Sequence, residues 1–155
     1  MLVGILTISD RGARGEYEDR SGPILAEIVR SHTPWQVNQQ AIVPDEQAVI
    51  ANKLLEWCSA GVNLILTSGG TGFAPRDVTP EATKSVIERE TPGITEALRA
   101  ESLKITRHAM LSRAVAGIRG QTLIINMPGS PNAVRENMEL LLPILPHALE
   151  LLTEA

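Results

Sequence analysis

The sequence predicts an α/β fold built on a mostly parallel sheet with one antiparallel element. Three observations carry that expectation. Short aliphatic runs such as Leu2–Ile8 and residues 62–66 alternate with longer segments whose apolar residues recur at helical spacing, the order that winds a parallel sheet. A glycine-rich stretch, Thr67-Ser68-Gly69-Gly70-Thr71-Gly72, joins one of these runs to a capped helix. Two further apolar runs flank Arg119-Gly120 in the manner of a hairpin.

Taken in order, Leu2–Ile8 reads as a buried first strand. Residues 9–20 are polar and carry Asp10, Arg11, Arg14, Glu16, Glu18, Asp19 and Arg20, a long loop of the kind compact domains keep for function. Ser21 can cap the next helix, with Pro23 in its first turn and Ile24, Leu25, Ile28 and Val29 on its apolar stripe. Trp35, Val37, Ala41, Ile42 and Val43 suggest a second strand that stops at Pro44. Asp45 can cap a helix to about residue 60 with Val49, Ile50, Leu54, Leu55 and Trp57 inward, and Gly61 closes it. Residues 62–66 form a third buried strand and lead into the glycine loop.

Thr79 and Pro80 fit the cap and first position of a helix through Ala82, Val86 and Ile87 to about residue 90. Pro92-Gly93 breaks it, residues 94–105 are helical again, and residues 109–113 read as a short helix. Residues 114–118 and 121–127 are the hairpin strands. Ser130 and Pro131 then start a strongly apolar helix over 132–152, which Pro143 and Pro146 break or kink. Right-handed crossovers place the loops after the parallel strands at one sheet edge, where open α/β sheets bind ligands. Asp45 also follows a strand and belongs to that edge.

Composition narrows the function classes. A chain of 155 residues suits one domain over 1–155, and 43% hydrophobic with 21% charged residues suits a water-exposed globule. A net charge of −4 argues against a nucleic-acid binder, which needs a clustered basic face. No apolar run approaches the roughly 18 residues of a membrane helix, and the N-terminus reads as a strand rather than a signal peptide. Cys58, the single cysteine, reads as a structural thiol, and the expected location is cytoplasmic. His32, His108 and His147 show no metal-ligand spacing.

The glycine loop carries the chemistry. Gly69, Gly70 and Gly72 let backbone N–H groups approach an oxyanion, and the helix after them adds the positive end of its dipole. A tight turn without ligand is the plainer reading of the same residues. Neither the Walker pattern nor the dinucleotide fingerprint is present. Asp45 and Asp77 are each placed to serve a helix start. Together, at one sheet edge beside an anion loop, they could instead hold Mg²⁺ carrying a polyphosphate. Arg76 can meet phosphate or stay in solvent, and Asp10 can reach the site or orient its loop. Ser130 is a cap that could donate to a ligand. Glu16, Glu18 and Glu81 read as surface charges.

Six stretches then fall into one pattern. They are Ile8-Ser9-Asp10-Arg11, residues 18–23, Val43-Pro44-Asp45, residues 67–72, Arg76-Asp77-Val78-Thr79-Pro80-Glu81-Ala82, and Asn126-Met127-Pro128-Gly129-Ser130-Pro131. In this order the chain resembles the MogA/MoaB-type molybdenum-cofactor biosynthesis proteins, which include molybdopterin adenylyltransferases, the plant Cnx G domain and the N-terminal domain of gephyrin. The resemblance implies a three-layer α/β/α fold, a homotrimer, and Mg²⁺- and ATP-dependent adenylation of molybdopterin with a hand-over to a molybdate-inserting protein. It carries the family's two functional aspartates onto Asp45 and Asp77, as catalytic and metal-linked groups. It carries the ligand-binding loop onto Ser68, Gly69, Gly70, Thr71 and Gly72, and a position near the pterin phosphate onto Ser130 in Pro128-Gly129-Ser130. Asp10 and Arg76 complete the expected pocket. Some relatives carry lysine where this chain has Asn132. The same domain recurs in molybdate-inserting enzymes and competence-damage-type proteins; the short chain favours the stand-alone adenylyltransferase, with a non-catalytic pterin carrier as the alternative.

Overall fold

The structure, a computed structural model, describes residues 1–154. Among them, six strands form a single sheet: β1 (Leu2–Ile8), β2 (Gln36–Val43), β3 (Leu64–Ser68), β4 (Arg89–Glu90), β5 (Ala116–Arg119) and β6 (Thr122–Met127). They lie in the order β2-β1-β3-β6-β5-β4. β1, β2, β3 and β6 are parallel; β5 runs antiparallel to β6 and to β4. The helices are α1 (Asp10–Ala13), α2 (Ser21–His32), α3 (Gln47–Ser59), α4 (Thr79–Val86), α5 (Pro92–Leu103), α6 (Pro131–Leu141) and α7 (Leu145–Thr153), with a 3₁₀ helix at Arg107–Leu111.

Side-chain alternation divides the core into two layers. Val3, Ile5, Leu64, Leu66, Leu123 and Ile125 point to one sheet face, where α2, α5, α6 and α7 cover them. Leu6, Ile65 and Ile124 point to the other, under α3 and α4. The result is a three-layer α/β/α sandwich. β1, β3 and β6 read as unbroken aliphatic runs because both of their faces are covered. Trp57 of α3 is 2% exposed and packs flat on Gly4 of β1, where an added Cβ would stand 2.6 Å from the indole ring. That contact explains a glycine inside a buried strand.

Several local expectations shift. Residues 9–20 are not all loop: Ser9 caps the short helix α1 by accepting from Gly12 N at 3.0 Å. Ser21 does not cap α2; Asp19 accepts from Gly22 N, and the Ser21 hydroxyl reaches Gly129 O instead. α4 ends at Val86 rather than near residue 90, because the chain turns to pair Arg89–Glu90 with β5. Helical periodicity does not register a two-residue charged edge strand. Pro92 starts α5 rather than ending its predecessor, its missing N–H costing nothing in the first turn. The short helix expected at 109–113 is the 3₁₀ turn Arg107–Leu111. Pro143 separates α6 from α7, whereas Pro146 is accommodated in the first turn of α7.

The topology leaves one crevice. From β1 the chain moves outward to β2, then returns to the opposite side of β1 for β3. The loops after β1 and β3 therefore diverge to opposite sides of the sheet, the switch point at which open α/β sheets bind ligands.

Candidate active site

Four loops meet at the carboxyl edge, each following a parallel strand. The glycine loop follows β3. Gly69 and Gly70 have φ of 100° and 68°, in the left-handed region that side chains disfavour. Space excludes a side chain as well: a Cβ on Gly69 would strike Ile8 O, and one on Gly70 would strike the Thr79 hydroxyl. Thr79 pins the loop from α4. Its hydroxyl donates to Gly69 O at 2.9 Å and its N–H to Gly70 O at 3.1 Å. The expected capping role of Thr79 gives way to this one, and Val78 is the N-cap.

The loop after β6 docks on the glycine loop. Ser68 Oγ donates to Pro128 O at 3.2 Å, and a Cβ on Gly129 would lie 3.5 Å from Gly69 Cα. Ser21 Oγ donates to Gly129 O at 2.6 Å, tying α2 to the same point. Asp19 accepts from the Thr7 hydroxyl at 2.7 Å. Together these groups enclose a cavity of about 130 Å³ lined by Ser9, Tyr17, Asp19, Ser68, Gly69 and Gly129. Ser130 is the N-cap of α6, accepting from Ala133 N at 3.4 Å.

The carboxylates stand beside this cavity. Asp10 and Asp45 exchange bonds: Asp10 N–H donates to Asp45 Oδ2 at 2.9 Å and Asp45 N–H donates to Asp10 Oδ1 at 3.0 Å. Asp45 is thus a bracket between the β1 and β2 loops, not the cap of α3, whose N-cap is Glu46. Its Oδ1 faces the glycine loop, 3.0 Å from where a Gly70 Cβ would be. Asp77 Oδ2 accepts from Ala74 N at 3.0 Å and lies 2.9 Å from where a Gly72 Cβ would be. Arg76 forks onto Asp10 with two bonds of 2.8 Å.

Electrostatics separates Asp10 from Asp45. The Arg76 guanidinium holds the Asp10 carboxyl down to about 2. Burial pushes Asp45 above its ordinary value, and the charges of Asp10 and Asp77 push it further. Arg76 spends both of its 2.8 Å bonds on Asp10 and none on Asp45 or Asp77. No group of three or more His, Cys, Asp or Glu forms a complete metal cage among the described residues. Asp45 Oδ1 and Asp77 Oδ2 both face the glycine loop, a donor set of the kind Mg²⁺ uses when waters and substrate phosphates complete its shell. Asp10, already neutralised by Arg76, is a loop organiser.

One contributor was not foreseen. Arg113, just after the 3₁₀ helix, donates to Gly72 O and Asp77 O at 2.7 Å each and pairs with Glu81. Glu81, expected as a surface charge, is held below its ordinary value by this partner. Two of the arginine's acceptors are backbone carbonyls, which leave no trace in residue identity.

Strand-edge glycine loop, paired aspartates and the Pro-Gly-Ser corner thus converge at one place. The family model described as "Probable molybdopterin binding domain" matches residues 4–147. The chain belongs to this family. It is 42% identical over 153 residues to a molybdopterin adenylyltransferase of Helicobacter pylori strain J99, a match covering 97% of this chain and 86% of that protein. It is 46% identical over 160 residues to gephyrin of Dictyostelium discoideum, covering 97% of this chain but 22% of gephyrin. It spans 26% of the Drosophila melanogaster protein cinnamon, at 45% identity. The molybdopterin-binding fold also recurs in solved structures. MoaB of Thermus thermophilus superposes with a TM-score of 0.92 at 50% identity, covering 99% of this chain and 97% of its own. MogA superposes at 0.94 with 40% identity, covering 99% and 100%.

Proposed function

We propose that this chain is a molybdopterin adenylyltransferase acting in molybdenum-cofactor biosynthesis. The observation that carries the reading is the placing of Asp45 and Asp77 against the backbone of Gly70 and Gly72 at the switch point. The similarity to a full-size protein of that name supports it. Catalysis here is positioning and charge neutralisation. The terminal phosphate oxygen of molybdopterin attacks the α-phosphorus of ATP, and the α–β anhydride bond breaks. Pyrophosphate carries away the bonding electrons, leaving molybdopterin-AMP. Backbone N–H groups of residues 70–72 bind phosphate oxygens, while the Gly69 N–H is held by Met127 O at 3.1 Å and fixes the start of the loop. The Pro128-Gly129-Ser130 corner bounds the pocket, with Ser130 toward the pterin phosphate. Asp10 and Arg76 keep the β1 and β3 loops in register. Asp45 and Asp77 would hold Mg²⁺, which supplies the counter-charge that two carboxylates and a polyphosphate need to share a site.

The reading takes residues 1–155 as one domain working in the cytoplasm as a homotrimer, with the product passed to a molybdate-inserting protein. Among the described residues no helix is long and apolar enough to cross a membrane. The trimer is supported by apolar side chains left uncovered in the 3₁₀ region, Ile105 at 63%, Met110 at 68% and Leu111 at 44% exposure, which favour burial against another surface. Light scattering on the purified chain should give three times the monomer mass of 16.7 kDa; a monomer at micromolar concentration contradicts this part.

Thermal melting separates an enzyme from a pterin carrier. Each ligand at about 100 times its dissociation constant should add roughly 2.7 kcal/mol to the native state. Both Mg-ATP and molybdopterin should raise the melting temperature. A shift with molybdopterin alone makes the chain a carrier, and a shift with Mg-ATP alone makes it a generic nucleotide binder.

A further inference from the structure

We propose that Arg113 is the positioning residue of the glycine loop, fixing which way its peptide groups face; the proposal rests on the adenylyltransferase reading above. Four attachments belong to this one residue. Its N–H donates to Thr71 O at 2.8 Å, its Nε to Gly72 O and its Nη2 to Asp77 O at 2.7 Å each. Its Nη1 meets Glu81 in the first turn of α4. A trans peptide points its C=O and N–H in opposite directions. Capturing the carbonyls of Gly72 and Asp77 therefore turns the N–H groups of Phe73 and Val78 away from the guanidinium, and the bond from the Arg113 N–H to Thr71 O turns the Gly72 N–H the same way relative to the Arg113 backbone. Carbonyls drawn to a cation on one side leave donors for an anion on the other.

Little else holds the middle of the loop. Thr79 pins its start at Gly69 and Gly70. Beyond that, Asp77 closes a turn with Ala74, Arg76 ties the far end of the loop to Asp10, and Phe73 between them stands 67% exposed. Arg113 is anchored outside the loop, where the chain leaves the 3₁₀ helix for β5, so it can hold the loop against a fixed frame. Its planar fork serves three acceptors in different directions, which a lysine ammonium on a single stem reproduces poorly. Arg113 touches no reacting atom in this account; it acts through Gly72 and Asp77.

The test measures kcat, KM for ATP and amide hydrogen exchange on the full chain with Mg-ATP and molybdopterin. Arg113→Ala should lower kcat by about 100-fold, the cost of an ångström-scale misplacement. Arg113→Lys should recover little, and added guanidinium ion should restore part of the alanine variant's rate. Glu81→Gln, which spares the carbonyl bonds, should cost no more than about fivefold. Amides of residues 71–78 should exchange faster in Arg113→Ala, while those of the buried strands β1, β3 and β6 keep their wild-type protection. If that variant does not fold, Arg113→Lys is read in its place. A folded Arg113→Ala with wild-type kcat, or unchanged loop exchange, overturns the proposal. A wild-type chain that releases no pyrophosphate overturns the adenylyltransferase reading instead, and loop exchange still decides the role of Arg113.

Discussion

Asp45 is the residue at which fold and chemistry pull against each other. Burial and two neighbouring carboxylates raise its proton affinity, while a phosphate site with a cation requires it ionised. A raised folded-state value means that Asp45 adds stability at low pH, which is lost as pH rises through that value. Asp10 has the opposite sign: held near 2 by Arg76, it adds stability above its unfolded value that is lost only as pH falls toward 2. Carboxyl NMR should show Asp45 titrating above the ordinary aspartate value of 3.8 and Asp10 well below it. Added Mg²⁺ should move Asp45 down and leave Asp10 in place. An Asp45 signal indifferent to Mg²⁺ rules out its metal role. Asp77→Ala removes one exposed bond to Ala74 N, so stability should fall by only about 1 kcal/mol. Turnover should fall by about 100-fold or more, read as pyrophosphate release. An active Asp77→Ala contradicts the carboxylate assignment. The placing of Asp77 beside the glycines was legible in the sequence. The pairing of Asp45 with Asp10 was not, since it joins residues 35 apart and a carboxylate after a strand looks like an ordinary helix cap.

At the level of elements, the glycine loop works because of what surrounds it. Gly70→Ala places a Cβ in the left-handed region and against the Thr79 hydroxyl. The backbone alone should lose about 1–2 kcal/mol, and ATP affinity should fall with it; an alanine variant with wild-type melting and binding means the loop has another resting shape. The buried strands were legible because parallel strands covered on both faces leave continuous aliphatic runs. Helix starts were less so. Ser21, Asp45 and Thr79 all have capping side chains, yet each spends its bonds on a loop at the site. Local propensity cannot distinguish a cap from a tie between distant loops. Asn126 makes the same point inside the sheet. It is fully buried, donates to Thr67 and Thr83, and accepts from Val115 N, joining β3, α4 and the start of β5 beneath the loop. Asn126→Ala should cost about 1–3 kcal/mol through partners left unpaired, measured by denaturant unfolding; no loss of stability contradicts this network.

For the whole molecule, the fold class followed from the alternation of strands and helices, and the crevice followed from where the strand order reverses. The glycine loop after a buried strand was legible, and an anion site is the use expected of it. The pterin and the adenylyl transfer were not, because backbone N–H groups carry no signature of the particular phosphate they bind. Those came with the family, through motifs spread from Ile8 to Pro131. The central claim is therefore chemical. Purified chain, ATP, Mg²⁺ and molybdopterin should together release pyrophosphate in equal amount to a molybdopterin-AMP product seen by mass spectrometry, and release should stop when molybdopterin is left out. Pyrophosphate release that is independent of molybdopterin, or none with both substrates bound, would contradict the account.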